Sequence, residues 1–109
     1  QPHLLLVSAG FDAYHSDPLG SLGLTSEGYR LLGDFVINRI ARAMQIPVVH
    51  CLEGGYHIAA LPKLVEAYIA PYDPGLPAYS GVIPSDNPSM YTKKLYAQAI
   101  EFLSRYWFL

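Results

Sequence analysis

A chain of 109 residues that is 51% hydrophobic and 15% charged is enough for one globular domain and too apolar for a disordered tail. Its formal charge of -2, without any basic run, gives no electrostatic footing for nucleic acid or an anionic membrane, and its single cysteine rules out an internal disulfide. No apolar run approaches the roughly 18–20 residues of a membrane span, and no basic-then-apolar leader opens the chain, so the expected location is the cytoplasm.

Gln1 and Pro2 stand directly before a buried-type strand without an initiator methionine, so the chain is expected to be a fragment of something longer. That strand covers residues 3–8. Its four consecutive aliphatics, Leu4, Leu5, Leu6 and Val7, fit a strand buried on both faces of a parallel sheet. It runs into the loop SAGFDAYHSDPLG, residues 8–20, which carries Asp12, His15 and Asp17, and ligands gather where such strands end.

Thr25, Ser26 and Glu27 then supply an N-cap and an acidic first turn. From there to Gln45 the spacing is helical, with Tyr29, Leu32, Val36, Ile40 and Met44 on an apolar stripe and Arg30, Asp34, Asn38, Arg42 and Gln45 on a polar one. Pro47 introduces a second β-branched run, residues 48–52, which stops at Glu53-Gly54-Gly55. Strand, helix and strand make a βαβ unit with parallel strands, so both strand-end loops open on one edge and Asp17 and Tyr56 should be neighbours across one crevice. A second helix is expected over residues 61–70, with Pro62 in its first turn and Leu61, Leu64, Val65 and Tyr68 facing inward. Residues 71–88 hold five of the nine prolines and read as an irregular surface segment. A last amphipathic helix over residues 90–105 leads to the aromatic cluster Tyr106, Trp107 and Phe108, which must bury or remain an exposed patch.

Two stretches carry candidate chemistry. In D-x-x-H-x-D, Asp12, His15 and Asp17 offer oxygen and imidazole ligands for a divalent ion, although the same residues build acidic surface turns. In Glu53-Gly54-Gly55-Tyr56 the glycines allow a close backbone approach and the phenol of Tyr56 can donate a hydrogen bond to a carbonyl gaining charge; a tight turn with a packed tyrosine reads equally well. Glu53 is expected to tie down its own loop. His50 and Cys51 are adjacent on a strand, so they face opposite sides and form no thiolate–imidazole pair. Gly20-Ser21-Leu22-Gly23 lacks a P-loop lysine, there is no G-x-S-x-G elbow, and His3 and His57 have no identifiable partner.

The residues Ser8-Ala9-Gly10-Phe11-Asp12-Ala13, then Asp17-Pro18-Leu19-Gly20, a helix, and Glu53-Gly54-Gly55-Tyr56 resemble the C-terminal third of the histone deacetylase family, which includes acetylpolyamine amidohydrolases. The resemblance spans about residues 2–70. It implies part of an arginase-like α/β fold, parallel strands with packing helices. It also implies a catalytic Zn2+ held by two aspartates and a histidine, of which only Asp17 has a counterpart here. Tyr56 resembles the tyrosine that polarises the acetyl carbonyl, Leu24 a wall of the acyl-lysine tunnel, and Gly54 and Gly55 the neighbouring substrate-binding turn. Asp12 and His15 become loop-shaping residues. Tyr14 and His57 depart from the residues common at those positions, histidine and asparagine, which bears on local hydrogen bonding rather than on the reaction.

The implied function is zinc-dependent hydrolysis of an acetyl-amide, with an acetyl-lysine protein or an acetylated small molecule as substrate and no nucleic acid or membrane partner. The expected division is a partial catalytic domain over residues 1–70, a Pro-rich segment over 71–89 and a terminal helix over 90–109. With one zinc ligand, the isolated chain is expected to be inactive. The alternative is a noncatalytic α/β module that associates through the Pro-rich and aromatic segments.

Overall fold

The computed structural model describes residues 2–77 and 88–106. Strand β1 (Leu5–Ala9) and strand β2 (Val48–Leu52) pair in parallel, in a register running from Leu5 opposite Val48 to Ala9 opposite Leu52. The helical crossover between them makes the expected βαβ unit, and the chain has the mixed helix and parallel-strand character of an α/β protein.

Burial of the strands departs from expectation. Leu5, Val7 and Ala9 of β1 and Val48 and His50 of β2 are half-buried, whereas Leu6 is 67% and Val49 46% exposed and Cys51 lies open beside them. A continuous aliphatic run is suited to burial on both faces, but burial needs a layer on each side, and among the described residues the helices cover one.

Helix α1 (Ser26–Asp34) starts where the Thr25 hydroxyl oxygen accepts the Gly28 N–H at 3.2 Å, the N-cap expected from its sequence. It continues as wide i→i+5 turns over Phe35–Arg42. The helix buries Tyr29, Gly33, Asp34, Ile37 and Ala41, rather than Tyr29 with Leu32, Val36, Ile40 and Met44. Leu32 is 45% exposed. Two causes displace the stripe. The wide turns advance the phase beyond Asp34, and Gly33 lets the following helix approach so closely that a β-carbon there would stand 1.9 Å from the Tyr68 carbonyl oxygen. The helix ends at Gln45, which takes φ 54°, while Ile46 N–H reaches the Ala41 carbonyl at 3.0 Å and Gln45 N–H that of Arg42 at 3.2 Å. This is a Schellman closure with glutamine in the place glycine usually takes, and Pro47 prevents continuation.

Helix α2 (Leu61–Ile69), with Pro62 in its first turn, buries Leu64 and Tyr68 and leads into a 3₁₀ turn, Ala70–Tyr72. Phe11, Tyr29, Leu64 and Tyr68 form the core, with Ala9, Ala13, Tyr14, Leu24, Ala60, Leu61 and Val65 packed against them. The Phe11 ring meets Tyr29 at 4.9 Å and Tyr68 edge-on at 5.8 Å. The core therefore lies at the C-terminal end of the strands, directly beneath the loops that follow them. The polar stripe Arg30, Asp34, Asn38 and Arg42 lines a groove of about 380 Å³ against residues 71–77. Helix α3 (Met90–Leu103) is capped by Ser89 and has no buried residue. Of the aromatic cluster beyond it, Tyr106 is 70% exposed, and Trp107 and Phe108 lie outside the described residues.

Candidate active site

The parallel ladder does not stop where the strands do. Glu53 N–H donates to the Ala9 carbonyl at 3.1 Å and Phe11 N–H to the Gly54 carbonyl at 2.7 Å, so the two strand-end loops leave the sheet side by side. A side-chain bond adds to this: the Ser8 hydroxyl donates to Glu53 Oε1 at 3.1 Å, and Glu53 thus ties β1 to the end of β2 rather than only its own loop.

Asp17 joins the loops. Its Oδ1 accepts the N–H groups of Leu19 and Gly20, each at 2.9 Å, turning its own loop. Its Oδ2 accepts the N–H of Tyr56 at 2.7 Å and of His57 at 3.2 Å, across 39 and 40 residues of sequence. Asp17 is buried, and burial alone would raise its pKa; the four backbone N–H groups outweigh that and hold the carboxyl below the usual carboxylate range. The result is a fixed, ionised carboxylate at the mouth of the parallel strands. The Gly20 amide, one of those a phosphate at residues 20–23 would need, is committed to Asp17.

Tyr56 follows on the neighbouring strand end, its amide on Asp17 and its side chain 50% exposed. Gly55 before it has φ +139°, and a β-carbon there would stand 2.9 Å from both Phe11 Cβ and Leu61 Cδ1, so the turn that presents Tyr56 rests directly on the core. Leu24 packs against the same core, and its backbone exchanges hydrogen bonds of 2.9 Å with Ala13 and His15. Asp12 carboxylate oxygens lie close over Gly10 and Gly54, between the loops. His15 is exposed with its Nδ1 on the Ser16 hydroxyl at 2.7 Å, well apart in role from Asp17.

Two residues do more than their sequence suggested. His57 has partners: its Nδ1 accepts the Ala60 N–H at 3.2 Å at the start of α2, and its ring stands edge-on to Tyr14. The His57 carbonyl accepts the same Ala60 N–H at 2.9 Å and that of Leu61 at 3.0 Å, so ring and backbone of His57 together form the entry to α2. Tyr29 was expected only as a core residue. Its hydroxyl is buried beneath the Asp12–Asp17 loop, near the Ala13 and Tyr14 amides but in hydrogen-bond geometry with no partner among the described residues. Burial, followed by the charges of Asp12 and Asp17, raises its pKa against a smaller opposing pull from the Ala13 and Tyr14 amides, so it stays a neutral phenol.

A catalytic zinc takes three protein ligands and an open position. Among the described residues no group of three or more His, Cys, Asp or Glu side chains gathers to hold a metal ion. Asp17 fits one ligand: it is anionic, fixed and placed at a strand end. Its four N–H donors already match the roughly four lone-pair sites of a carboxylate, so a metal must share an oxygen with a donor or displace one. These residues can supply a corner of a metal centre and not the whole of it.

A profile of the Histone deacetylase domain matches residues 1–71. The chain is 38% identical over 60 residues to an acetylpolyamine amidohydrolase of Burkholderia pseudomallei, covering 55% of this chain and 16% of that protein. It is 39% identical over 56 residues to histone deacetylase 6 of Caenorhabditis elegans, covering 51% of this chain and 5% of that protein. A crystal structure of the acetylpolyamine aminohydrolase from Burkholderia pseudomallei superposes with a TM-score of 0.55 at 33% identity, over 63% of this chain and 19% of that one. The chain thus spans about a fifth or less of the length of these relatives, and it shares their arginase/deacetylase fold over the βαβα part. By profile, sequence and fold, this chain belongs to the histone deacetylase family.

Proposed function

We propose that the chain is the C-terminal part of a zinc-dependent deacetylase domain that hydrolyses an acetyl-amide. Residues 1–70 belong to the catalytic domain, and the terminal helix α3 (Met90–Leu103) follows it in the chain. The observation that carries the reading is the bond from Tyr56 N–H to the Asp17 carboxylate, which couples a metal-binding anion to a hydrogen-bond-donating phenol at adjacent parallel strand ends.

In this reading Asp17 supplies one zinc ligand. Zinc, when bound, polarises the acetyl oxygen and lowers the pKa of water. The phenol of Tyr56 donates a hydrogen bond to the amide oxygen as negative charge develops there, a contribution of about 10²–10³ in rate for one well-placed donor. Gly54 and Gly55 leave room for the acyl group beside Tyr56, and Leu24 walls its entry. The remaining metal ligands and the general base are not among these residues, so this chain alone neither holds zinc tightly nor turns over substrate. Acetyl-lysine proteins and acetylpolyamines share the chemistry and are both candidates, since the relatives include histone deacetylases and an acetylpolyamine amidohydrolase alike.

The test is hydrolysis of an acetyl-lysine peptide and of an acetylpolyamine by the 109-residue chain and by a longer chain that adds the missing ligands. Only the longer one should act, and Asp17→Ala and chelation should each abolish its activity. Chelator-sensitive turnover by the 109-residue chain would contradict the proposed division of the site, and turnover by neither would contradict the deacetylase reading. A second reading, association through the terminal helix, is favoured by α3, which exposes Tyr91, Leu95, Tyr96 and Phe102. Concentration-dependent sedimentation lost on Leu95→Glu would support it.

A further inference from the structure

His50 lies away from the Asp17 carboxylate, in the middle of β2, on the face covered by helices. Its two ring nitrogens are both engaged: Nδ1 lies 3.1 Å from the Tyr68 hydroxyl and Nε2 lies 2.8 Å from the Tyr72 hydroxyl. Both phenol rings also stand edge-on to the imidazole, at 5.4 and 5.8 Å. One residue of the strand therefore holds the last full turn of α2 and the 3₁₀ turn after it. From that turn onward residues 71–77 form one wall of the groove along α1, whose far end is fastened by Arg30 donating to the Pro77 carbonyl at 3.1 Å.

The surroundings assign the protons. A neutral imidazole has one donor and one acceptor. Tyr68 is 5% exposed, so the arrangement that gives its O–H an acceptor has it donating to Nδ1; Nε2–H then donates to Tyr72, which at 46% exposure is open to water. A proton added at Nδ1 would face the Tyr68 O–H with a second donor and leave that O–H without an acceptor. The groups facing His50 are the two phenols, Tyr68 from α2 and Tyr72 from the 3₁₀ turn. From α1, Arg42 shares a pocket wall with Tyr72, and its guanidinium is bonded to Asn38. Nothing in that set compensates an imidazolium.

We propose that His50 is a pH-sensitive pin: neutral, it fastens Tyr72 and the groove wall of residues 71–77 to the sheet, and on protonation it releases them. Burial agrees in sign, since it holds the imidazole below its ordinary value of 6.5. The clasp is therefore fully made above pH 6.5 and is lost as pH falls through the lower, folded value. Its release would loosen one wall of the groove lined by Arg30, Asp34, Asn38 and Arg42 without touching Asp17 or Tyr56.

The test is a pH titration of the 109-residue chain by ¹⁵N and ring NMR, with Tyr72→Phe and His50→Gln alongside. The wild type should show His50 as the Nε2–H tautomer at pH 7.5, with His50, the Tyr72 ring and the Asp73 amide, which donates to Ala70 at 3.0 Å, titrating together at a midpoint below 6.5. The protection factor of the Asp73 amide should fall about tenfold for each unit by which that midpoint lies below 6.5. In Tyr72→Phe the His50 titration should persist while the Asp73 amide ceases to follow it, and in folded His50→Gln the Asp73 response should vanish. An Nδ1–H tautomer, a midpoint at or above 6.5, or an Asp73 amide indifferent to His50 titration would overturn the proposal.

Discussion

Gly55→Ala tests how the Tyr56 turn is held. Gly55 has φ +139°, a backbone region that costs a residue with a β-carbon about 1–3 kcal/mol. The added methyl would also stand 2.9 Å from Phe11 Cβ and from Leu61 Cδ1, and overpacking at a rigid contact costs about 1–3 kcal/mol more. The unfolded chain loses some freedom with alanine, which returns about 0.4–1 kcal/mol. The net expectation is a destabilisation of about 2–5 kcal/mol, a large part of a small domain's total. Gly54→Ala is the control. Its φ is not in the positive range, and its methyl meets the carboxylate end of Asp12, a side chain that can swing aside, so the cost should be about 1 kcal/mol or less. Urea unfolding followed by circular dichroism reads both: Gly55→Ala should lower the midpoint by about 1–3 M at an unchanged slope, and Gly54→Ala by much less. Equal midpoints for the two variants would refute the argument that backbone geometry, and not crowding alone, fixes this turn.

Three further outcomes follow from the packing and charges. Gly33→Ala places a methyl 1.9 Å from the Tyr68 carbonyl oxygen, so the helices must separate, and a loss of about 3 kcal/mol or more is expected in the same unfolding assay. Tyr29→Phe removes a buried hydroxyl that has no partner among the described residues while keeping the ring on Phe11; it should be neutral or stabilising by about 1 kcal/mol, and a clear loss of stability would mean that the hydroxyl is bonded. For Asp17 the folded carboxyl lies below its ordinary value of 3.8, so its contribution is present above that pH and is lost as pH falls through the folded value. The Tyr56 and His57 amide signals should hold steady down to about pH 4 and move together below it; movement near pH 5 would contradict a carboxylate held by four amides.

Much of the fold was legible because its cues are local and independent. Thr25 capped where hydroxyls cap, Val48–Leu52 formed the second strand, and the crossover made the pair parallel. The buried stripe of α1 was not legible, since periodicity assumes one helical pitch, whereas the wide turns over Phe35–Arg42 and the contact of Gly33 with Tyr68 rotate the inward face. Nor was the side of β1 that no described residue covers, because Leu4 to Val7 read the same whether one layer or two covers them. At the site, residue types and order brought Asp17 and Tyr56 to adjacent strand ends. How they meet, through the backbone amide of Tyr56 rather than through its side chain, depends on loop geometry that spacing does not carry. The clasp on His50 is not legible either, because its partners, Tyr68 and Tyr72, are 18 and 22 residues away and become neighbours only after α2 folds back onto the sheet.

Amide hydrogen exchange at Tyr56 and His57, in the wild type and in Asp17→Ala, tests most directly whether one carboxylate binds the two strand ends into a single site. Both amides should be protected in the wild type, and both should lose protection in Asp17→Ala, which leaves them no side-chain acceptor, while the Phe11 amide keeps its bond to Gly54. Protection of Tyr56 and His57 that survives the substitution, or is absent from the start, would contradict the account.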